Sequence, residues 1–104
     1  MTRDIMAEIK QEITDHPVIL YMKGTRLMPQ CGFSAAVVSI LEEMGVQFKD
    51  VDILVDAEKR QAIKEYTDWP TIPQLYVKGQ FIGGCDIVRD MHAKGELEPL
   101  IKKA

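Results

Sequence analysis

The sequence predicts an α/β fold in which a mixed sheet of about four strands is flanked by helices. Three observations support this prediction. Apolar residues recur at helical spacing in several segments, short apolar segments alternate with those helices, and a two-residue turn signal separates two further strand candidates. With 104 residues, the chain is long enough for one compact domain, predicted to span residues 1–104, with one modest core.

The chain begins with the pattern of an amphipathic helix, for which Thr2 is the predicted N-cap. Pro17 ends this pattern, because proline cannot continue a helix. Residues 18–22 are continuously apolar and favour a central strand that is covered on both faces. The apolar stripe of the helix is formed by Ile5, Met6, Ile9 and Ile13.

A loop and a second helix are predicted next. Residues 23–30 contain Gly24 and Pro29, which are typical of loops. Gly45 lies where the residue after a helix often adopts a left-handed conformation. The second helix is marked by Phe33, Ala36, Val37, Ile40, Leu41 and Met44.

The middle of the chain predicts a second strand and a third helix. Apolar residues at 48, 51 and 53 indicate the strand, and Asp56 is the predicted cap of a helix with Ile63 and Tyr66 on its inner side. This β-α-β-α order favours a parallel pair of strands with a right-handed crossover.

The remaining segments predict an antiparallel hairpin followed by two helices. Residues 74–77 and 80–82 are strand candidates, and Lys78-Gly79 between them fits a tight turn. Asp86 is a predicted helix cap. The two closing helices, which Gly95 separates, contain Ile87, Val88 and Met91 in the first and Leu97, Leu100 and Ile101 in the second.

Charge and hydropathy exclude several classes of function. Thirteen Lys and Arg against sixteen Asp and Glu leave a net charge of -3, the wrong sign for following nucleic-acid phosphates. The longest apolar run is residues 18–22, whereas a membrane span needs about twenty residues. The first seventeen residues carry several acids and no apolar block, so neither a secretory signal nor a transit peptide is expected. The predicted location is a reducing cytoplasm.

Cys31 is the main candidate for chemistry. It lies where the loop meets the second helix, and unpaired N–H groups at a helix start would lower the pKa of a thiol there. Residues 31–34 have the C-x-x-C spacing, but Ser34 takes the fourth position, so a disulfide across this turn is excluded. The alternatives to a chemical role are that Cys31 is a small buried packing residue and that Ser34 is only a helix-surface residue.

Two chemistries remain open for Cys31 at this point. Its thiolate could exchange with a thiol cofactor through a mixed disulfide, or it could be one ligand of a soft metal centre. An iron–sulfur cluster usually takes four thiolates, so a cluster here requires a second subunit and external thiols.

Four blocks of sequence, in order and covering nearly the whole chain, resemble the monothiol glutaredoxins with a C-G-F-S active site. They are Lys23-Gly24, MPQCGFS at 28–34, WPTIPQLYV at 69–77 and GGCD at 83–86. The resemblance implies the thioredoxin fold, a glutathione site and a labile [2Fe–2S] cluster between two subunits. Each subunit would give one cysteine, and two glutathiones would supply the other thiolates.

The resemblance also implies roles for individual residues near the thiol. Cys31 would be the cluster ligand and the nucleophile of any thiol exchange. Lys23 would approach the glycine carboxylate of glutathione or the Cys31 thiolate. The alternative interpretation is that Lys23 is a solvated lysine at a strand end, without a role in binding. Arg60 would pair with the same carboxylate, although a charged helix surface explains it as well.

The remaining implied contacts lie in the second half. Ile72 would offer its backbone to the cysteine of glutathione, from a loop that resembles the family's cis-proline loop. The backbone of Cys85 and the carboxylate of Asp86 would receive the γ-glutamyl end. Cys85 could also resolve a mixed disulfide on Cys31, but a packing role is favoured. Trp69 is interpreted as part of the core or a lid.

Three functions follow from this reading. The first is a carrier that holds a [2Fe–2S] cluster in a homodimer, transfers it to apo iron–sulfur proteins and pairs with a BolA-like protein. The loop after Lys23 supports the carrier function, because seven residues lie between Lys23 and Cys31, more than dithiol glutaredoxins have at this place. The alternative is a glutathione-dependent oxidoreductase that uses Cys31 as its nucleophile, and the third is an adaptor without redox chemistry.

Overall fold

The computed structural model describes residues 3–102, which form a four-stranded sheet with helices on both faces. The strands are β1 (Val18–Met22), β2 (Lys49–Asp52), β3 (Gln74–Val77) and β4 (Gln80–Gly83). The helices are α1 (Ile5–Asp15), α2 (Gly32–Glu43), α3 (Ala57–Thr67), α4 (Cys85–Ala93) and α5 (Leu97–Lys102). Within the described range, no helix is both long and apolar enough to cross a membrane.

The sheet is mixed, in the order β2-β1-β3-β4. Strand β1 pairs in parallel with β2 and antiparallel with β3, and β3 pairs antiparallel with β4. The predicted hairpin turn is confirmed, since Lys78 and Gly79 both have positive φ values, 51° and 83°. The α/β prediction and the buried central position of β1 are therefore confirmed.

Two hydrophobic cores lie on opposite faces of the sheet, because successive side chains of a strand point in opposite directions. On one face, Leu20 of β1 packs with residues of α2, α4 and α5 such as Leu41, Val88 and Leu97. On the other face, Tyr21 packs with residues of α1 and α3 such as Ile63. This layering brings the start of α2 and the start of α4 to the same side of the sheet.

Helix α1 and the segment after β2 differ from the predictions. Thr2 lies outside the described residues, and α1 begins at Ile5 with Asp4 as its cap, because the Asp4 carboxylate accepts the Ala7 N–H at 3.1 Å. Ile53 is not in a strand but opens a short 3-10 helix, Ile53–Val55. Tyr66 is 39% exposed, because the buried stripe of α3 runs through Lys59, Ala62 and Ile63.

A charged network joins α1 to α3 behind the sheet. The buried Lys59 ammonium pairs with Glu12 and with Glu8, and the Tyr21 hydroxyl donates to Glu12 at 2.8 Å. Burial alone would lower the pKa of Lys59, but the hydrogen bonds to both carboxylates raise it. Hydrogen bonds from Arg3 and Lys59 lower the pKa of Glu8 to about 2. The two helices are thus joined by charge as well as by apolar packing.

Candidate functional site

One groove of about 470 Å³ collects the site residues that the sequence predicts. Its walls come from the start of α2, the outer side of α3, the loop before β3 and the start of α4. Residues from distant parts of the chain meet here because β1 ends, β3 begins and β4 ends at the same end of the sheet. The predicted residues that line it are Cys31, Lys23, Arg60, Ile72, Cys85 and Asp86.

Cys31 is the N-cap residue of α2, as predicted, with extended backbone angles. The pKa of its thiol is lowered, mainly by the backbone N–H of Ser34 and further by that of Phe33 and by the charge of Lys23, although burial opposes the shift. The residue is partly exposed in the groove. A stabilised and accessible thiolate can act both as a nucleophile and as a ligand of a soft metal.

Ser34 is not a surface residue but is fully buried. Its hydroxyl oxygen accepts the backbone N–H of Lys23 at 3.1 Å, and its side chain also helps to lower the pKa of Cys31. The residue therefore joins the end of β1 to the start of α2 beneath the thiol. Its helical position alone could not show this, because the contact crosses from helix to strand.

The loop between β1 and α2 is closed by its own backbone. The N–H of Gln30 donates to the carbonyl of Lys23 at 2.9 Å, and Thr25 and Met28 exchange two hydrogen bonds. Gly24 has a φ of 88°, and a Cβ there would lie 2.5 Å from the carbonyl oxygen of Met28. A glycine is required at this position, and the loop holds Lys23 and Cys31 at a set spacing.

The peptide bond between Ile72 and Pro73 is cis, as the resemblance implies. Both residues line the groove next to the start of α4. A Cβ on Gly84 would lie 3.2 Å from the carbonyl oxygen of Pro73, so the two walls approach closely here. The absence of a side chain at Gly84 keeps this part of the groove open.

Gln74 is a site-shaping residue that the sequence analysis missed. Its side chain is fully buried, and its amide donates to the carbonyls of Trp69 and Thr71 at 3.1 and 3.2 Å. Its oxygen accepts the Tyr76 hydroxyl at 2.9 Å and lies 3.2 Å from the hydroxyl of Thr67. This buried amide holds the whole loop before β3 in its conformation.

The prediction that Asp86 caps α4 is wrong. Gly84 occupies the N-cap position, and no side chain of the described residues caps this helix. Asp86 lies in the first turn and Cys85 is the buried first residue of the helix. Because glycine replaces a capping side chain, the first N–H groups remain available for an anion in the groove.

The groove contains more positive than negative side chains. Lys23, Arg60 and Lys64 line it together with Asp86. Lys64 was missed in the sequence analysis, although it follows Arg60 by four residues and so shares its face of α3. A ligand with two carboxylates and one ammonium group would match this set of charges.

Comparison with known proteins identifies the family. The glutaredoxin family model matches residues 18–82, more than half of the chain. This chain belongs to the glutaredoxin family. It is 51% identical over 104 residues to a Synechocystis sp. protein named an uncharacterized monothiol glutaredoxin, covering 100% of this chain and 97% of that one.

Two further comparisons agree with this assignment. A probable monothiol glutaredoxin, GrlA of Legionella pneumophila, is 56% identical over 86 residues, which cover 83% of this glutaredoxin and 97% of GrlA. The solution structure of reduced poplar apo GrxS14 superposes with a TM-score of 0.82 at 46% identity, covering 93% of this chain and 89% of the poplar chain. The predicted thioredoxin fold is thereby confirmed.

Trp69 of this glutaredoxin both lines the groove and packs on Phe81, with ring centroids 5.6 Å apart. Its indole N–H is buried and has no hydrogen-bond partner in residues 3–102. The interpretation of Trp69 as part of the core or a lid is consistent with its packing on Phe81 at the edge of the core. Its ring makes it a natural fluorescent reporter for the groove.

The metal-binding capacity of one chain is small. In the part of this glutaredoxin that the structure describes, no three His, Cys, Asp or Glu side chains are placed to hold a metal ion. Cys31 opens into the groove, whereas Cys85 is buried in its wall. A cluster at this site would therefore take one thiolate, from Cys31, and would need the rest from other molecules.

Proposed function

We propose that this glutaredoxin is a monothiol protein of the C-G-F-S type that binds glutathione and a labile [2Fe–2S] cluster bridging two subunits. It would act in iron–sulfur cluster storage and transfer and in iron homeostasis. One observation carries the proposal. The thiol of Cys31 has a lowered pKa and faces a positively charged groove, while a buried serine takes the place of a second cysteine.

The groove suits glutathione in size and charge. A volume of about 470 Å³ is within the range of small-molecule sites. The glycine carboxylate would pair with Lys23 and Arg60, and the backbone of Ile72 would contact the central cysteine. The γ-glutamyl carboxylate would meet the uncapped N–H groups of α4, and its ammonium group would meet Asp86.

The number of thiolates that a cluster needs is the reason for proposing two subunits. Four are usual, and of the two cysteines that line the groove Cys31 is the partly exposed one, whereas Cys85 is buried. The thiol of a bound glutathione would lie beside Cys31, so two subunits with two glutathiones complete the set. Bound in this way, the cluster would be held weakly enough to be passed on. Apo iron–sulfur proteins are the proposed acceptors, a BolA-like protein is a proposed partner, and the cytoplasm is the proposed location.

Anaerobic reconstitution with iron, sulfide and glutathione tests this proposal. We expect a [2Fe–2S] absorption and circular dichroism spectrum in a dimer, measured by size exclusion with light scattering. Cys31→Ser and the omission of glutathione should each abolish the spectrum. Cys85→Ser is the matched control and should retain it, because Cys85 is assigned to the groove wall. A colourless monomer under conditions that load a known cluster protein would contradict the proposal.

Thiol exchange is the second candidate function, and the lowered pKa of Cys31 favours it. The Cys31 thiolate would attack the glutathione sulfur of a mixed disulfide, which releases the target thiolate. This step forms a disulfide between Cys31 and glutathione. The thiolate of a second glutathione would then attack the glutathione sulfur of this new disulfide, releasing glutathione disulfide and restoring the Cys31 thiolate. Turnover of a glutathionylated peptide tests this, and a rate that is equal in Cys31→Ser would exclude it.

A further inference from the structure

Asp52, at the end of β2, connects the loop that follows Lys23 with the segment that leads into α3, and Lys23 and Arg60 of α3 both line the groove. Its Oδ1 atom accepts the backbone N–H of Gly24 at 2.9 Å and the backbone N–H of Leu54 at 2.9 Å. Gly24 directly follows Lys23, and Leu54 belongs to the 3-10 helix that leads into α3. One carboxylate oxygen therefore joins the loop of the thiol to the start of the helix that carries Arg60.

The backbone pairing of β1 with β2 ends at Met22 and Asp52, and beyond it each segment has contacts of its own. Lys23 is attached to Ser34 through its backbone N–H and to Gln30 through its carbonyl. Helix α3 is capped by Asp56, whose carboxylate accepts the Lys59 N–H at 3.0 Å. The Asp52 side chain adds a second link beside the backbone pairing, because its carboxylate accepts an N–H from each of the two segments.

We propose that Asp52 is a positioning residue that sets the spacing between Lys23 and Arg60. This inference rests on the proposed function, in which both cations meet the glycine carboxylate of glutathione. Asp52 is not among the residues that line the groove, so it acts through its neighbours. A preformed spacing improves binding because less conformational freedom is lost when the ligand is bound.

Neighbouring Asp50 has a different role. Its carboxylate accepts the Arg26 N–H at 2.9 Å, which holds the outer part of the loop against β2. The contact does not reach the segment before α3. The side-chain link between the loop after Lys23 and the segment before α3 is therefore made by Asp52 and not by Asp50.

Two substitutions separate the two contacts of Asp52. Asp52→Ser keeps an oxygen that can accept the N–H two residues later, but its shorter side chain loses the contact with Gly24. Asp52→Asn keeps the acceptor oxygen at full length. Asp4→Ala is the matched control, because it also removes a carboxylate that accepts one backbone N–H, but at the start of α1, away from the groove.

Glutathione affinity, measured by calorimetry, is the first readout. We expect up to about fivefold weaker binding for Asp52→Ser, because the preorganisation that is lost cannot exceed the contribution of the one hydrogen bond that supplied it, and wild-type affinity for Asp4→Ala. Asp52→Asn should recover affinity to within about twofold, since an amide oxygen is a weaker acceptor than a carboxylate.

The second readout is the pH dependence of Cys31 alkylation by iodoacetamide, followed by mass spectrometry and independent of bound glutathione. Displacement of Lys23 would remove one cause of the lowered thiol pKa, so the profile of Asp52→Ser should move to higher pH, and that of Asp52→Asn should not. Wild-type values of both quantities in Asp52→Ser, or equal losses in Asp52→Asn, would overturn the proposal. If the wild type itself binds no glutathione, the proposed function fails, and the alkylation profile still decides the role of Asp52.

Discussion

Replacement of Gln74 by leucine tests whether its buried amide holds the loop before β3. The side chain is fully buried and makes three hydrogen bonds, two as donor to Trp69 and Thr71 and one as acceptor from Tyr76. The Thr67 hydroxyl is not counted as a fourth, because it has one proton and the carbonyl of Ile63 is closer, at 2.9 Å.

The magnitude follows from these contacts. Three hydrogen bonds made by a fully buried side chain, at about 1 to 1.5 kcal/mol each, contribute about 4 kcal/mol to the free energy of unfolding. The apolar side chain of leucine returns about 1 kcal/mol through burial. The net loss for Gln74→Leu is then about 3 kcal/mol, which leaves a domain of ordinary stability folded but weakened.

Urea unfolding followed by the fluorescence of Trp69 measures this loss. We expect the midpoint to fall by about 2 M, because domains of this size have slopes of about 1 to 3 kcal/mol per M. Gln80→Leu, at an exposed position of β4, is the matched control and should change stability by less than about 0.5 kcal/mol. An equal midpoint for Gln74→Leu and Gln80→Leu would refute the reasoning.

Three other predictions concern the thiol, the charged network and the loop. Ser34→Ala should raise the pKa of Cys31 and slow its alkylation at pH 7, because it removes one of the hydrogen bonds that lower this pKa. Glu8→Gln should make stability less dependent on pH in acid. The pKa of Glu8 is about 2 when folded against an ordinary 4.5, so the unfolded chain takes up the proton first and stability is lost as pH falls from about 4.5 towards 2. Gly24→Ala should weaken glutathione binding and lower the melting temperature, because its Cβ would collide with the backbone of Met28.

Controls at matched positions sharpen these predictions. Ser39→Ala, at an exposed position of the same helix, should leave the alkylation profile of Cys31 unchanged. Gly32→Ala should be tolerated in the fold, because none of the described residues lies within 4 Å of the added Cβ. Acid unfolding curves that coincide for Glu8→Gln and the wild type would show that this carboxylate has no part in the acid transition. A wild-type alkylation profile in Ser34→Ala would exclude its hydroxyl as a cause of the lowered pKa, and a wild-type melting temperature in Gly24→Ala would contradict the close approach.

Local patterns were sufficient for the order and type of the elements. The apolar run of β1, the turn at Lys78-Gly79 and the position of Cys31 at a helix start depend on residues that are close in sequence, so spacing reveals them. The residues around the thiol were predicted from resemblance to a family, and the groove then collected all six.

The buried polar contacts were decided by tertiary structure. Ser34 has a helical position that is compatible with the surface, yet it is fully buried because its hydroxyl accepts the backbone N–H of Lys23 at the end of β1. Gln74 is also fully buried, although its amide contacts, to Trp69 and Thr71, are local in sequence. The cap of α4 is Gly84 and not Asp86, because the chain leaves β4 and enters the helix at Gly84, beside the carbonyl of Pro73. Asp52 acquires its role only when β2 lies beside β1, which brings Gly24 to its carboxylate. Sequence spacing records neighbours along the chain, whereas the contacts of Ser34 with Lys23 and of Asp52 with Gly24 join segments that become neighbours only when the sheet forms.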